Sequence, residues 1–157
     1  MKNVKWKMEN GGFTMLEMLI SFFIVAIIAT ILFVAFGAFR ESNDLQSAQE
    51  TIIGILRDAR SRSVGSQDKK TYGVHFEATK AVLFKGSVYS ASDSANEAYI
   101  LPTLVKISSI TLSGGAVDTV FSILGGTTTA SGTVTISSQR DQSKTRTITI
   151  FSTGGIQ

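Results

Sequence analysis

The sequence predicts an α+β protein in which one long amino-terminal helix, membrane-spanning in its first half, packs its second half on an antiparallel β-sheet head. Three observations carry that prediction. From Met18 to Phe39 the chain runs 22 residues without a charge. From Leu45 to Ala59 apolar residues recur at steps of three and four, the period of a helix buried on one face. Beyond Gly65 the pattern changes to alternation in Thr-rich segments, which suits antiparallel sheets with one face solvated. A length of 157 residues allows one core plus an appendage.

The appendage comes first. Six of the ten Phe lie between Phe13 and Phe39, so the high apolar content is local. Residues 13–39 would form a helix of ~40 Å against a hydrocarbon layer of ~30 Å. Lys2, Lys5 and Lys7 precede the span with Glu9 as the opposing charge, whereas Arg40 and Glu41 cancel just after it. The positive-inside bias then puts the amino terminus in the cytoplasm and the residues beyond Arg40 outside.

Glu17 is the anomaly, because a carboxylate at membrane depth costs ~2.5–3.5 kcal/mol. No Lys, Arg or His falls between Met8 and Phe39. The partner must therefore be a headgroup, water, a helix amino end or another protein, and a free α-amino group would suit. Such a group arises if the chain is cut after Gly12, which leaves Phe13 as the new terminus four residues before Glu17. Two alternatives stand beside this. A cleaved secretory signal could use Ala35 to Gly37 as its site, but its apolar region would exceed the usual ~7–15 residues. A plain signal anchor has the right length and leaves Glu17 unexplained.

The run GGFTMLEML from Gly11 to Leu19 behind a short basic leader resembles the class III leader of type IV pilins and pseudopilins. The resemblance implies a pilin- or pseudopilin-like fold, cleavage after Gly12 by prepilin peptidase, methylation of the new terminal amine on Phe13, and a role for Glu17 in assembly. It also implies other pilins or pseudopilins as partners through the amino-terminal helix. The organisation expected is a leader over residues 1–12, a membrane and assembly half-helix over 13–40, an amphipathic half-helix over 41–65 and a β-rich head over 66–157. The destination implied is the inner or cytoplasmic membrane, crossed once with the amino terminus cytoplasmic and the head periplasmic or otherwise extracytoplasmic, and then a pilus or pseudopilus.

The remaining elements follow in order. The helix is expected from about Thr14 to about Val64, with Gly65 as its carboxyl cap. Tyr72, Val74 and Phe76 alternate with Gly73, His75 and Glu77, and Ala81 to Lys85 completes a hairpin. Ser87 to Ala98 is Ser- and Ala-rich and reads as an exposed loop. Strands are expected again at Val105 to Ser113, Val117 to Leu124, Thr133 to Ser137 and Thr145 to Phe151, for about six strands in all. LRDARSR at Leu56, FSILGG at Phe121, SGTVTI at Ser131 and RTITIFSTGGI at Arg146 resemble the GspH/FimT-type branch of the family, which points to a minor pilin or pseudopilin.

Several chemistries are excluded or disfavoured. With no Cys and one His, thiolate and poly-His metal sites are absent from the sequence, and no metal or cofactor is expected. His75 lies between two apolar strand residues and is expected at the surface or rim, so no enzyme activity is expected. Asp93, Asn96 and Glu97 lack a calcium-loop spacing. Gly125-Gly126 has no phosphate-loop Lys. Some FimT-type minor pilins bind DNA, and Arg140, Lys144 and Arg146 are the candidate contacts here. Three cations with Asp141 among them leave a weak electrostatic footprint. A DNA-binding minor pilin and a membrane-anchored binding module without a filament role are the alternatives to a structural subunit.

Overall fold

The computed structural model describes residues 12–157, so the leader expected over 1–12 lies outside the described residues except for Gly12. Helix α1 covers Met15–Val64. The chain divides into two units, Met1–Phe39 and Arg40–Gln157.

In the first unit the helix makes no core. Phe13, Leu19, Phe22, Phe23, Phe33 and Phe36 are each more than half exposed, and this segment is long and apolar enough to cross a membrane. Its polar side chains turn inward on the backbone. The Thr14 hydroxyl accepts the Glu17 N–H at 3.2 Å, which makes Thr14 the amino cap. Ser21 donates to the Glu17 carbonyl at 2.8 Å, and Thr30 donates to the Ala26 carbonyl at 2.9 Å. Both hydroxyls thereby satisfy themselves without water, as a lipid environment demands.

In the second unit the same helix buries Leu45, Ala48, Ile52, Ile55, Leu56 and Ala59, the stripe expected from the three-and-four spacing. Each large side chain fully buried contributes ~1.5–3 kcal/mol. The helix end differs from the expected glycine cap. Gly65 still donates to the Ser61 carbonyl at 2.8 Å, and the left-handed residue is Ser66, with φ 52°. Buried Ser63 accepts the Tyr72 N–H at 2.8 Å, which fastens the helix end to the first strand.

The head has two antiparallel sheets and seven strands, one more than expected. The first sheet joins β1 (Tyr72–Glu77), β2 (Lys80–Lys85), β3 (Glu97–Ile100) and β5 (Asp118–Phe121) in the order β3-β2-β1-β5. The second joins β4 (Val105–Leu112), β6 (Gly132–Ser138) and β7 (Thr145–Ile150) in the order β4-β6-β7. A register shift between Ile107 and Ser109 interrupts the β4–β6 ladder. Val74, Phe76, Ala81, Leu83 and Phe121 from the first sheet share a core with Val105, Ile107, Val134, Ile136, Ile148 and Ile150 from the second and with the helix stripe. The opposite face of the second sheet carries Thr133, Thr135, Thr147 and Thr149, none of them buried, as the Thr alternation implied.

Strand β3 is the added element. Glu97 and Ala98 pair with Leu83 and Val82, although both were expected in a loop. The rest of that loop is not merely exposed: the Tyr89 ring stacks on His75 with centroids 3.9 Å apart and meets Phe84 edge-on at 5.6 Å. It thereby helps cover Phe84, which is only 1% exposed.

At the carboxyl end, the segment after β7 turns back along that strand, with Thr149 and Gln157 exchanging backbone hydrogen bonds of 2.8 and 3.0 Å. Buried Gly154 makes this return possible. Its φ is 79°, and a Cβ built there would lie 1.8 Å from the Gly126 carbonyl oxygen. That same carbonyl accepts the Arg60 Nε–H at 3.2 Å, so helix, loop and tail meet at one point.

Candidate functional site

Gly12, Phe13 and Thr14 precede the helix, and Glu17 lies in its first turn. All four are exposed, and nothing lies within 4 Å of a Cβ built at Gly12. Among the described residues, nothing therefore crowds the Gly12–Phe13 peptide bond. Helix geometry places the Glu17 side chain near the amino end of α1, where the unpaired N–H groups favour a carboxylate. Among the described residues Glu17 forms no ion pair. A cut after Gly12 would create an amine on Phe13, four residues before Glu17.

Of the three candidate DNA contacts, Lys144 and Arg146 line one groove beside α1 with Ser42 and Leu45. Lys144 Nζ pairs with Glu41 Oε2 at 2.7 Å, and Arg146 Nη1 donates to Gln49 Oε1 at 3.3 Å. Arg140 is exposed on the turn between β6 and β7, where its N–H donates to the Ser138 hydroxyl at 3.1 Å. Of the three cations, Lys144 alone has a charged partner among the described residues, since the Gln49 amide is neutral.

Glu41 is the polar residue that sequence reasoning missed. It was read as half of a cancelling pair with Arg40, yet its side chain is buried, with 6% of the residue exposed. Ser138 donates to its Oε1 and Lys144 to its Oε2. The signal was available, because Glu41 stands four residues before Leu45 and seven before Ala48 and so falls on the apolar stripe. The Lys144 hydrogen bond, with that of Ser138 behind it, holds the Glu41 carboxyl below its ordinary range, and Glu41 in turn raises Lys144.

The sign of the consequence follows from linkage. A carboxyl depressed in the folded state adds stability that is present above its unfolded value, here 4.5, and is lost as pH falls through the lower folded value. Acid titration is therefore expected to loosen the β6–β7 turn from the helix below about pH 4.5. Glu41→Gln should remove that part of the acid dependence while lowering stability at pH 7. Unfolding midpoints of the full chain in detergent at pH 7 and pH 3.5 would check it, and an unchanged pH slope in Glu41→Gln would rule the clasp out.

Other charged groups have structural partners. Arg62 bonds Asp58 at 2.7 Å and Glu97 at 2.5 Å and lies over the Tyr72 ring at 5.8 Å. The Glu97 and Asp58 hydrogen bonds raise its guanidinium above the ordinary arginine value. His75 is half-buried, less open than expected, with Nδ1 2.8 Å from Asp118 Oδ1. Asp93 Oδ1 accepts the Ala95 N–H at 2.9 Å, a local turn bond. Among the described residues no three His, Asp or Glu side chains are grouped so as to hold a metal ion.

Residues 7–33 match the family described as the prokaryotic N-terminal methylation motif. Neither the curated proteins nor the solved structures contain a match to the chain. The motif covers Gly12, Phe13, Glu17 and most of the exposed apolar helix, and together they are consistent with a single-pass membrane anchor. A prepilin-type motif at the head of a helix that joins an antiparallel β head supports a type IV pilin-like protein, a structural class processed by prepilin peptidase and assembled with other pilins.

Proposed function

We propose that the chain is a minor pilin or pseudopilin of the GspH/FimT type, a structural subunit of a type IV pilus or type II secretion pseudopilus. One observation carries the reading: a single helix begins just after Gly12-Phe13, exposes its apolar residues up to Phe39, and buries a stripe against β-sheets from Leu45 onward. Such a helix serves two solvents in turn. In the bilayer its first half faces lipid, and in a filament that half packs against the same segment of neighbouring subunits. Residues 1–12 act as the leader, 13–40 as anchor and assembly segment, 41–65 as the spine of the head and 66–157 as the head itself. The amino terminus starts in the cytoplasm and the head lies across the inner or cytoplasmic membrane.

The DNA-binding reading has less support. Lys144 is paired with Glu41, whereas Arg146 bonds the uncharged Gln49 amide and keeps its charge, so phosphate neutralisation would fall to Arg140 and Arg146.

Cleavage after Gly12 tests the proposal. Mass spectrometry of the membrane-extracted protein is expected to show an amino-terminal N-methyl-Phe13 peptide, and Gly12→Val is expected to abolish it by placing a branched side chain at the cut. A mature protein that keeps Met1 in cells with active prepilin peptidase would overturn the reading. Retention of Met1 would favour the alternative of a membrane-anchored binding module without a filament role.

A further inference from the structure

Within the Arg40–Gln157 unit, Lys144 and Arg146 line a groove of about 360 Å³ with Ser42, Leu45, Ser143 and Thr145. Arg146 shares a face of β7 with buried Ile148 and Ile150, so strand alternation aims it at the helix. It gives one N–H to Gln49 Oε1, and Lys144 gives one to Glu41 Oε2. A guanidinium and an ammonium each carry further donors, so both can still bind an anion. The carboxylates nearby are occupied or turned away. Glu41 is bonded to Ser138 and Lys144, and Asp141 accepts the Ser143 N–H and hydroxyl at 3.0 and 2.6 Å. The helical period puts Asp44 on the flank of α1 away from Ser42. With exposed Arg140 on the adjoining turn, cations outnumber carboxylates here.

Chain connection alone brings this groove close to the bilayer surface. The 22 uncharged residues from Met18 to Phe39 make ~33 Å of helix, which matches a hydrocarbon layer of ~30 Å and sets Phe39 at its boundary. Ser42 follows three residues later, at most ~11 Å of chain. The head-group layer is itself ~5–7 Å deep.

We propose that this groove binds the phosphate of an anionic phospholipid in the leaflet on the head's side of the membrane, with Arg146 and Lys144 as the donors. The inference rests on the reading of residues 13–40 as the membrane anchor. A guanidinium can take two phosphate oxygens at once, while the ammonium acts as a compact second charge. Duplex DNA offers the same phosphates, but it would have to lie against a bilayer whose own anionic lipids repel it. The lipid contact has to break when the subunit leaves the bilayer for a filament.

The full chain in a neutral detergent, titrated with phosphatidylglycerol and read by native mass spectrometry, is expected to hold this lipid saturably and to bind phosphatidylcholine at least about fivefold more weakly. Arg146→Gln is expected to weaken phosphatidylglycerol binding about fivefold. Ser42→Glu is expected to do at least the same, and it alters an exposed helical position to a good helix former, so folding is spared. Arg57→Gln removes the same charge ~22 Å further along α1 and is expected to change nothing.

Equal binding of phosphatidylcholine, or an equal loss in Arg57→Gln, would overturn the groove as an anionic-lipid site. Displacement of the lipid by inorganic phosphate at matched concentration would make the ligand a free anion, and displacement by a short DNA duplex would make it nucleic acid; either result overturns the lipid as occupant. Failure to bind phosphatidylglycerol in a chain that carries N-methyl-Phe13 and enters filaments would sink this inference alone. Lipid binding as expected in a chain that keeps Met1 would sink the proposed function alone.

Discussion

Gly154→Ala is expected to lower the unfolding free energy of the Arg40–Gln157 unit by about 2–5 kcal/mol. Two costs combine. An L residue at φ 79° sits in left-handed backbone, worth roughly 1–2 kcal/mol. The added methyl meets the Gly126 carbonyl oxygen at 1.8 Å and Arg60 Nε at 2.7 Å, and backbone cannot yield as a flexible side-chain tip would. Relief requires the return of the tail along β7 to open, which exposes Ile150 and the end of α1. Gly54→Ala makes the contrast, since a Cβ there has nothing within 4 Å and a helical Ala gains roughly 0.5–1 kcal/mol over Gly. Denaturant titration of the full chain in detergent should move the head transition in opposite directions for the two substitutions. A neutral Gly154→Ala would mean that the tail does not pack as described.

The same contrast shows what the sequence could and could not reveal. A helical stripe is a local pattern, so Leu45, Ala48, Ile52 and Ala59 were legible from spacing alone. Strands β1, β2, β4, β6 and β7 were legible from alternation, and the Thr residues correctly marked a solvated face. Alternation does not say which strand pairs with which. That β5 lies beside β1, while β4 joins β6 and β7 in a separate sheet, depends on contacts distant in sequence.

Strand β3 escaped because its pattern is inverted. Tyr99 and Glu97 turn toward Arg62 and the core, while Ile100 points outward and is 81% exposed. The helix cap was missed by one position, since glycine's tolerance of positive φ does not oblige the chain to use it where Ser66 is held left-handed by the turn that follows. Gly12, Phe13 and Glu17 stand out in the sequence for a different reason. An uncompensated carboxylate in an apolar run has few physical excuses. Glu41 was equally visible on the apolar stripe, but the nearby Arg40 supplied an easier partner than the distant Lys144.

Glu17→Lys is expected to leave leader cleavage and membrane levels near normal and to abolish entry into the filament. Before assembly the side chain can sit at the headgroup level or in water near the helix end, so insertion alone does not require a partner. Filament entry does, because the first half of α1 must leave lipid and pack among like helices. There the amine of a processed Phe13 and the carboxylate of a neighbouring Glu17 can neutralise each other. Burying the pair costs desolvation, so it adds little net affinity, yet any docking that leaves one charge alone is penalised heavily. The pair would therefore act on register more than on strength. Glu17→Val removes the carboxylate and strands the amine, and Glu17→Lys places two cations together and should be the more severe. Incorporation into sheared filaments is expected to fall at least about tenfold for Val and below detection for Lys. The head is expected to fold normally in both, since its buried residues begin at Glu41. Filament entry of Glu17→Lys at the unsubstituted level would eliminate charge pairing at the helix amino end as the assembly mechanism, while impaired leader cleavage would relocate the role of Glu17 to recognition by the peptidase.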